Sequence, residues 1–287
     1  MINVRLQVRR AVVQDQDQLT NLVFYESNTH RHLDWHSPQE WLGSSNYWVR
    51  EEDGQITGAL ACPEDPPHVA WIRFFGHHQY LSAPQAWSSL WNVARGEIAR
   101  ANIQTDIAAI VVKQWFKSLL LSSGFELKQY IVLLELKHEN IRSFSAPHGI
   151  RIRPMQDADL PAVARVDLAA FGNFWHNTQN TLQKARLQCA SASVAEDASG
   201  AVVGYQLSTK NPFGAHLARL GVVPEAQGRG IGSVLVSHLI QSLGASQLSK
   251  LSVNTQADNI ASLSLYQKLG FVRTGEQLPV LTYSIGV

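Results

Sequence analysis

Six consecutive residues, Gln227-Gly228-Arg229-Gly230-Ile231-Gly232, set three glycines around a guanidinium. Ahead of them Leu217 to Val223 is an apolar, β-branched run suited to a buried strand, and Pro224 removes a backbone donor and ends it. Behind them Ile231, Val234, Leu235, His238, Leu239 and Leu243 recur at helical spacing. The glycines therefore open a helix, where N–H groups lack partners and the macrodipole is positive; a loop without side chains lets a phosphate reach that backbone. Arg229 adds formal positive charge. The order Q-x-x-G-x-G, deep in the chain, is not the G-x-G-x-x-G of a dinucleotide fold's first strand and helix. The same glycines would also serve a turn that only brings a helix close to a strand.

A second constellation follows a strand expected over Leu248 to Val253. The stretch from Asn254 to Tyr266 reads as opening a helix on which Asn259, Ser262 and Tyr266, three and four residues apart, share one face. The run Asn-x-x-Ser-x-x-Leu-Tyr before Leu-Gly-Phe, with Gln-x-x-Gly-x-Gly after Leu-Gly-Val-Val-Pro, resembles the GNAT superfamily, the acyl-CoA-dependent N-acyltransferases. Both motifs stand in the family's order, and the resemblance covers most of residues 150 to 285.

The resemblance implies an N-acetyltransferase with acetyl-CoA as cosubstrate. Leu220, Gly221, Val222 and the stretch Gln227, Gly228, Arg229, Gly230, Ile231, Gly232 and Ser233 would hold the coenzyme, with Asn259 and Ser262 beside it. Aminolysis of a thioester needs a neutral amine, a donor for the carbonyl oxygen and a proton for the departing thiolate. Tyr266 takes the family position of the acid. The Val222 N–H is the implied carbonyl donor, beside a bulge expected at Gly221, where two strands would splay. Some members carry a base glutamate where His216 stands, and a neutral imidazole can do that work; others carry one where this chain has Asn254, which cannot. An ordinary strand-end histidine, or a half-buried tyrosine, would fit the same positions. No cysteine falls in either motif, so transfer would be direct, in a ternary complex. The alternative is an acyl-CoA-binding sensor without turnover. Phe171 to Asn177 sits where this family borders its acceptor, and its three aromatics would pack in the core, on the other domain or on the acceptor. The acceptor itself is left unnamed.

The elements that position these residues occur twice. Val4 to Arg9 and Ile150 to Pro154 each read as a strand leading to Asp-x-Asp and an apolar-periodic helix; Gly124-Phe125 and Gly270-Phe271 each end a helix before another strand. Nearly equal spans separate these marks, as a duplicated domain requires. The fold class expected is α/β (α+β): two tandem GNAT-like domains, each a mixed, mostly antiparallel twisted sheet flanked by helices. Residues 1–140 would be a degenerate copy, 141–149 a polar linker and 150–287 the coenzyme-binding domain. In the first copy a central strand over Val69 to Phe75 leads to Gly76-His77-His78-Gln79-Tyr80 without a glycine cradle, and Leu120 stands where Tyr266 does, so no acyl-CoA is expected there. Seven of the eight tryptophans lie in this half and read as core packing.

Composition narrows the rest. The chain has 287 residues, 45% of them hydrophobic, enough for two cores, and a formal net charge of +1 gives no reason to expect nucleic acid or an acidic membrane. Cys62 and Cys189 have no zinc-site or redox spacing, and His30, His32, His36, His77 and His78 read as surface-loop histidines, so no metal is expected. With no signal-peptide pattern and no stretch of ~20 apolar residues, a soluble cytoplasmic protein is expected. A homodimer stays open.

Overall fold

The computed structural model describes residues 6–26, 28–244 and 249–286, which form two compact units. The first comprises Met1–Lys128 and Leu278–Val287, the second Gln129–Gln277.

In the first unit, β1 (Leu6–Arg10) leads through a 3₁₀ turn to α1 (Gln16–Tyr25), followed by β2 (Thr29–Arg31), β3 (Tyr47–Glu52), β4 (Gln55–Ala61), β5 (Val69–Trp71) and β6 (Phe74–His77). Then come α2 (Ala83–Arg100), β7 (Thr105–Ile110), α3 (Gln114–Ser122) and β8 (Glu126–Lys137). The strand expected over Val69 to Phe75 is two. β5 pairs in parallel with β7, whereas β6 pairs antiparallel with β4 and β2 in the sheet β1-β3-β4-β6-β2. One core, with Leu19, Leu22, Val49 and Phe74, lies on the α1 side; the other gathers Trp87, Leu90, Trp91, Phe116 and Phe125.

The second half of the chain continues with β9 (Arg151–Pro154) and α4 (Leu160–Trp175), then α5 (Gln179–Gln188), β10 (Ser191–Glu196), β11 (Val202–Asn211), β12 (Gly214–Val222), α6 (Ile231–Ser242), β13 (Lys250–Gln256), α7 (Ile260–Leu269) and β14 (Val272–Ile285). Of the sequence expectations, Val4 and Leu248 lie outside the described residues. Asn254 belongs to β13, not to the helix, because its run alternates buried and half-buried side chains up to Gln256.

The two units repeat one ion-pair constellation. Arg9 grips Asp15 through two bonds of 2.7 and 2.8 Å and reaches Glu51 at 2.7 Å; Arg153 grips Asp159 at 2.7 and 2.8 Å and reaches Glu196 at 2.7 Å. Each aspartate also accepts the amide three residues before it, as a helix-start cap does. Asp15 therefore corresponds to Asp159. The histidines expected on surface loops are instead packed among aromatics. His30 stacks on Phe116 at 4.2 Å, and burial pushes its imidazole down to about 4 and that of His32 to about 3, so both stay neutral. Among the described residues no group of three or more His, Cys, Asp or Glu could hold a metal ion, and no helix is long and apolar enough to cross a membrane.

Residues 141–149 lie inside the second unit, and the packing divides instead after Lys128 and after Gln277. β8, which closes the first half of the chain, pairs along Ile131 to Lys137 with β13 and places Val132, Leu134 and Leu136 in the core of the second unit. The end of β14, Val280 to Ile285, pairs with β7 of the first unit. Each half thus lends a strand to the other unit. Burying three such aliphatic side chains contributes roughly 1.5–3 kcal/mol each. A fragment of residues 129–277 should unfold cooperatively on heating, whereas 150–287, which lacks β8, should be insoluble or show no transition by circular dichroism.

Candidate functional site

The site is built where β12 runs into α6. After Val222 the chain makes a 3₁₀ turn over Pro224–Ala226, and Gly228 and Gly230 follow with φ of 75° and 87°, the left-handed region that glycine enters without strain. Gly230 is the N-cap of α6 and offers no capping side chain; the first bond within the helix runs from the Val234 N–H to the Gly230 carbonyl, 3.2 Å. The amides of Ile231, Gly232 and Ser233 precede it and have no helical acceptor. Gln227, Gly228 and Arg229 are exposed. Gln227 braces the turn, its Nε2 donating to the Val222 carbonyl at 3.0 Å. Ile231 and Ser233 point their side chains into the interior, so what they present is backbone. This is the chemistry of an anion site made from amides and a positive helix end. The first unit differs at the matching helix: α2 opens on Ser82, whose hydroxyl accepts the Gln85 amide, with Pro84 in the first turn.

A gap opens beside the turn. β12 and β13 are parallel partners over three rungs only, Ala215 with Leu251, His216 with Ser252 and Leu217 with Val253, although β12 continues to Val222 and β13 to Gln256. On its other edge β12 stays paired with β11, opposite which Ala218 is an extra residue between Leu217 and Arg219. That is the bulge, and it is not at Gly221 as the sequence suggests. Gly221 is small for another reason: a Cβ there would lie 2.8 Å from Cε1 of Tyr205 and 3.3 Å from Cε2 of Phe171. The Val223 N–H bonds to the Val203 carbonyl, so Gly204 and Val222 form a non-hydrogen-bonded pair, and the amides of Val222 and, two residues back, Leu220 turn toward the gap.

Tyr266 lies in the core that holds Leu217 and Val253, the last rung before the gap. It is 4% exposed, its ring is 5.3 Å from that of Phe271, and burial holds the phenol far above its usual range, so it keeps its proton. Among the described residues no hydrogen bond reaches its hydroxyl. Asn259 caps α7: its side-chain oxygen accepts the Ser262 amide at 3.0 Å, and its Nδ2 approaches Gln256 at 3.4 Å. Asn259 and Ser262 thus form one helix start, both half-buried.

His216 is half-buried at the closed end of the gap. Its Nδ1 lies 3.0 Å from the Ser252 hydroxyl, and burial pulls the imidazole below its ordinary value, opposed by the Ser252 backbone, so at neutral pH it is an unprotonated base. Asn254 stands two residues on along β13.

Sequence reasoning missed the buried network that supports β12. Asp167 of α4, fully buried, accepts Nε and Nη2 of Arg219 at 2.8 and 2.9 Å, the Tyr205 hydroxyl, and the Asn177 amide at 2.6 Å. Arg219 also donates to the Trp175 carbonyl at 2.6 Å, and its guanidinium lies 3.6 Å from the centre of the Phe171 ring. Burial pulls Arg219 down, but Asp167 and Tyr205 outweigh it and hold the group above its usual range; burial and Asp167 together raise Tyr205. Phe171, Phe174 and Trp175 belong to α4, which runs to Trp175 across a kink at Gly172. Two residues carried the signal: a carboxylate on the buried stripe of α4 beside Val163 and Val166, and an arginine between the apolar residues of β12.

The profile of the Acetyltransferase (GNAT) family matches residues 160–271. A mycothiol acetyltransferase of Pseudarthrobacter chlorophenolicus is 36% identical over 145 residues, 44% of this chain and 44% of that one. One from Amycolatopsis mediterranei is 30% identical over 182 residues, 55% of this chain and 58% of that one. The chain thus spans about half the length of the curated relatives it matches. Among solved structures, a GCN5-related N-acetyltransferase from Sphaerobacter thermophilus has a TM-score of 0.62 at 16% identity, covering 98% of this chain and 97% of that one. A tandem GNAT protein from the clavulanic acid biosynthesis pathway has a TM-score of 0.64 at 15% identity, covering 99% of both.

Removing one partner of a buried ion pair strands the other charge. Asp167→Asn should cost about 3–5 kcal/mol, read as a lower urea midpoint at unchanged slope, whereas a surface substitution such as Asp258→Asn should leave the midpoint in place.

Proposed function

We propose, for a chain that carries a GNAT-family domain in its second half and the tandem GNAT fold over its whole length, that the second unit transfers an acetyl group from acetyl-CoA directly to a primary amine. The observation that carries the reading is the pairing of β12 with β13, which stops after three rungs beside an uncapped glycine helix start. The residues present suit the coenzyme. The free amides from Gly228 to Ser233, with Arg229, would hold its diphosphate, and the gap would admit its arm. The Val222 and Leu220 amides, facing that gap, would donate to the thioester carbonyl as charge develops on its oxygen. Tyr266 would give its proton to the departing sulfur, the partner its hydroxyl lacks. His216 would take a proton from the amine. Asn259 and Ser262 would shape the wall at the start of α7.

The glycine-poor, side-chain-capped start of α2 supports a first unit that binds no acyl-CoA. The relatives are named for mycothiol, so an amine related to mycothiol is the first acceptor to assay. The burial of Tyr266 and the lack of a carboxylate at His216 or Asn254 favour a second reading, an acyl-CoA sensor without turnover.

Thiol release from acetyl-CoA across an amine panel separates the two. The transferase reading expects turnover that falls roughly 100-fold in Tyr266→Phe while acetyl-CoA still raises the melting temperature; binding with no turnover on any amine would leave the sensor. The pH dependence has a stated sign. Because the His216 pKa is lowered, its basic form is already dominant at pH 6.5, so the acid limb of kcat/KM should have its midpoint below 6.5. Because that of Tyr266 is raised, no alkaline limb from it should appear below pH 10.

A further inference from the structure

The histidine assigned as base has a partner that no motif marks. His216 and Ser252 oppose each other across β12 and β13, one rung before the ladder ends. Their neighbours Ala215, Leu217, Leu251 and Val253 belong to the core under α6 and α7, so His216 and Ser252 stand on the opposite face, toward α4. The Ser252 hydroxyl oxygen is 3.0 Å from His216 Nδ1 and 3.3 Å from the Ala215 carbonyl oxygen. A hydroxyl has one proton and a carbonyl can only accept, so with that proton directed at Ala215 the ring meets a lone pair. Nδ1 must then carry the hydrogen of the neutral ring, and Nε2 is the nitrogen with the free pair. Among the described residues no group bonds to Nε2.

We infer that Ser252 is a positioning residue for acyl transfer: its hydroxyl holds His216 as the Nδ1–H tautomer and so keeps Nε2 for the proton of the acceptor amine. The inference rests on the transferase reading. In the step it serves, the amine nitrogen bonds to the carbonyl carbon and loses a proton to Nε2. The electrons of the carbon–sulfur bond leave with sulfur, which takes the Tyr266 proton. The imidazolium keeps its Nδ1–H bond to Ser252, so nothing at that nitrogen must reorganise.

The charged groups on the elements around His216 do not replace this device. On β12 Arg219 is spent on Asp167 of α4, and on β13 Lys250 is paired with Glu135 of β8 at 2.8 Å. Lys210 of β11 donates to the Leu243 carbonyl. Lys184 and Arg186 lie on α5, and Arg186 donates to the Met155 carbonyl.

The tautomer can be read without an acceptor. In the full chain labelled with ¹⁵N-histidine, long-range ¹H–¹⁵N spectra at pH 8 should show His216, identified by its loss in His216→Gln, with hydrogen on Nδ1. Ser252→Ala should admit the Nε2–H form, and Ser252→Thr should keep Nδ1–H. In thiol release with the best amine of the panel, Ser252→Ala should lower kcat about tenfold at unchanged KM for acetyl-CoA, and Ser252→Thr should restore most of it. Hydrogen on Nε2 in the parent protein, or full kcat in Ser252→Ala, overturns the inference. If the parent turns over no amine while its ring shows Nδ1–H, the transferase reading has failed, and the inference falls through that premise rather than through the geometry.

Discussion

A β-strand inside a sheet has two edges to satisfy, and β12 beyond Leu217 satisfies only one. Its β11 edge remains paired as far as Val222, while on the other edge β13 has parted from it. Backbone amides left open beside a core are costly unless something accepts from them. The bulge at Ala218 helps re-aim the strand, and the buried grip of Arg219 on Asp167 fixes the redirected segment to α4. β8, lent by the first half, holds β13 from its far side. These features brace the two strands where they part. The glycine turn at the end of the same strand then places a second set of open amides next to the first.

The first unit carries the same ion-pair constellation as the second but spends its corresponding features on packing. Its central strand breaks at Ile72 and Arg73 into β5 and β6, which join different partners. Beside the break the space is filled by His30, Phe75, Trp87 and Phe116, rings in contact at 4.2 to 5.9 Å. The helix that follows is capped by its own serine. The two copies thus differ at one strand end and one helix start, bare glycine backbone in the second and packed rings with a serine cap in the first.

Much of this was legible in the chain itself. Local chemistry announced the glycine turn, because positive φ and a bare helix start require glycine, and the repeat showed through Asp15, Gly124-Phe125 and their counterparts. The exchange of β8 and β14 was not legible, since pairing partners are decided by tertiary contacts that leave no local pattern. Gly221 was misread as a bulge because small size satisfies either a bulge or two aromatic rings, and sequence does not distinguish them. The histidines of the first unit read as surface residues since polarity is visible in a sequence and the stacking of His30 on Phe116 is not. Asp167 and Arg219 were visible as opposite charges on apolar faces, but their union needed the fold.

The central claim is that the coenzyme enters where β12 leaves β13. Amide hydrogen exchange on the full chain, with and without saturating acetyl-CoA, tests it most directly. The account predicts slowed exchange confined to residues 219–223 and 228–234, with no change over 76–86 of the first unit. Slowed exchange over 76–86, or acetyl-CoA binding that leaves Leu220, Val222 and Gly230 to Ser233 exchanging as before, would contradict it.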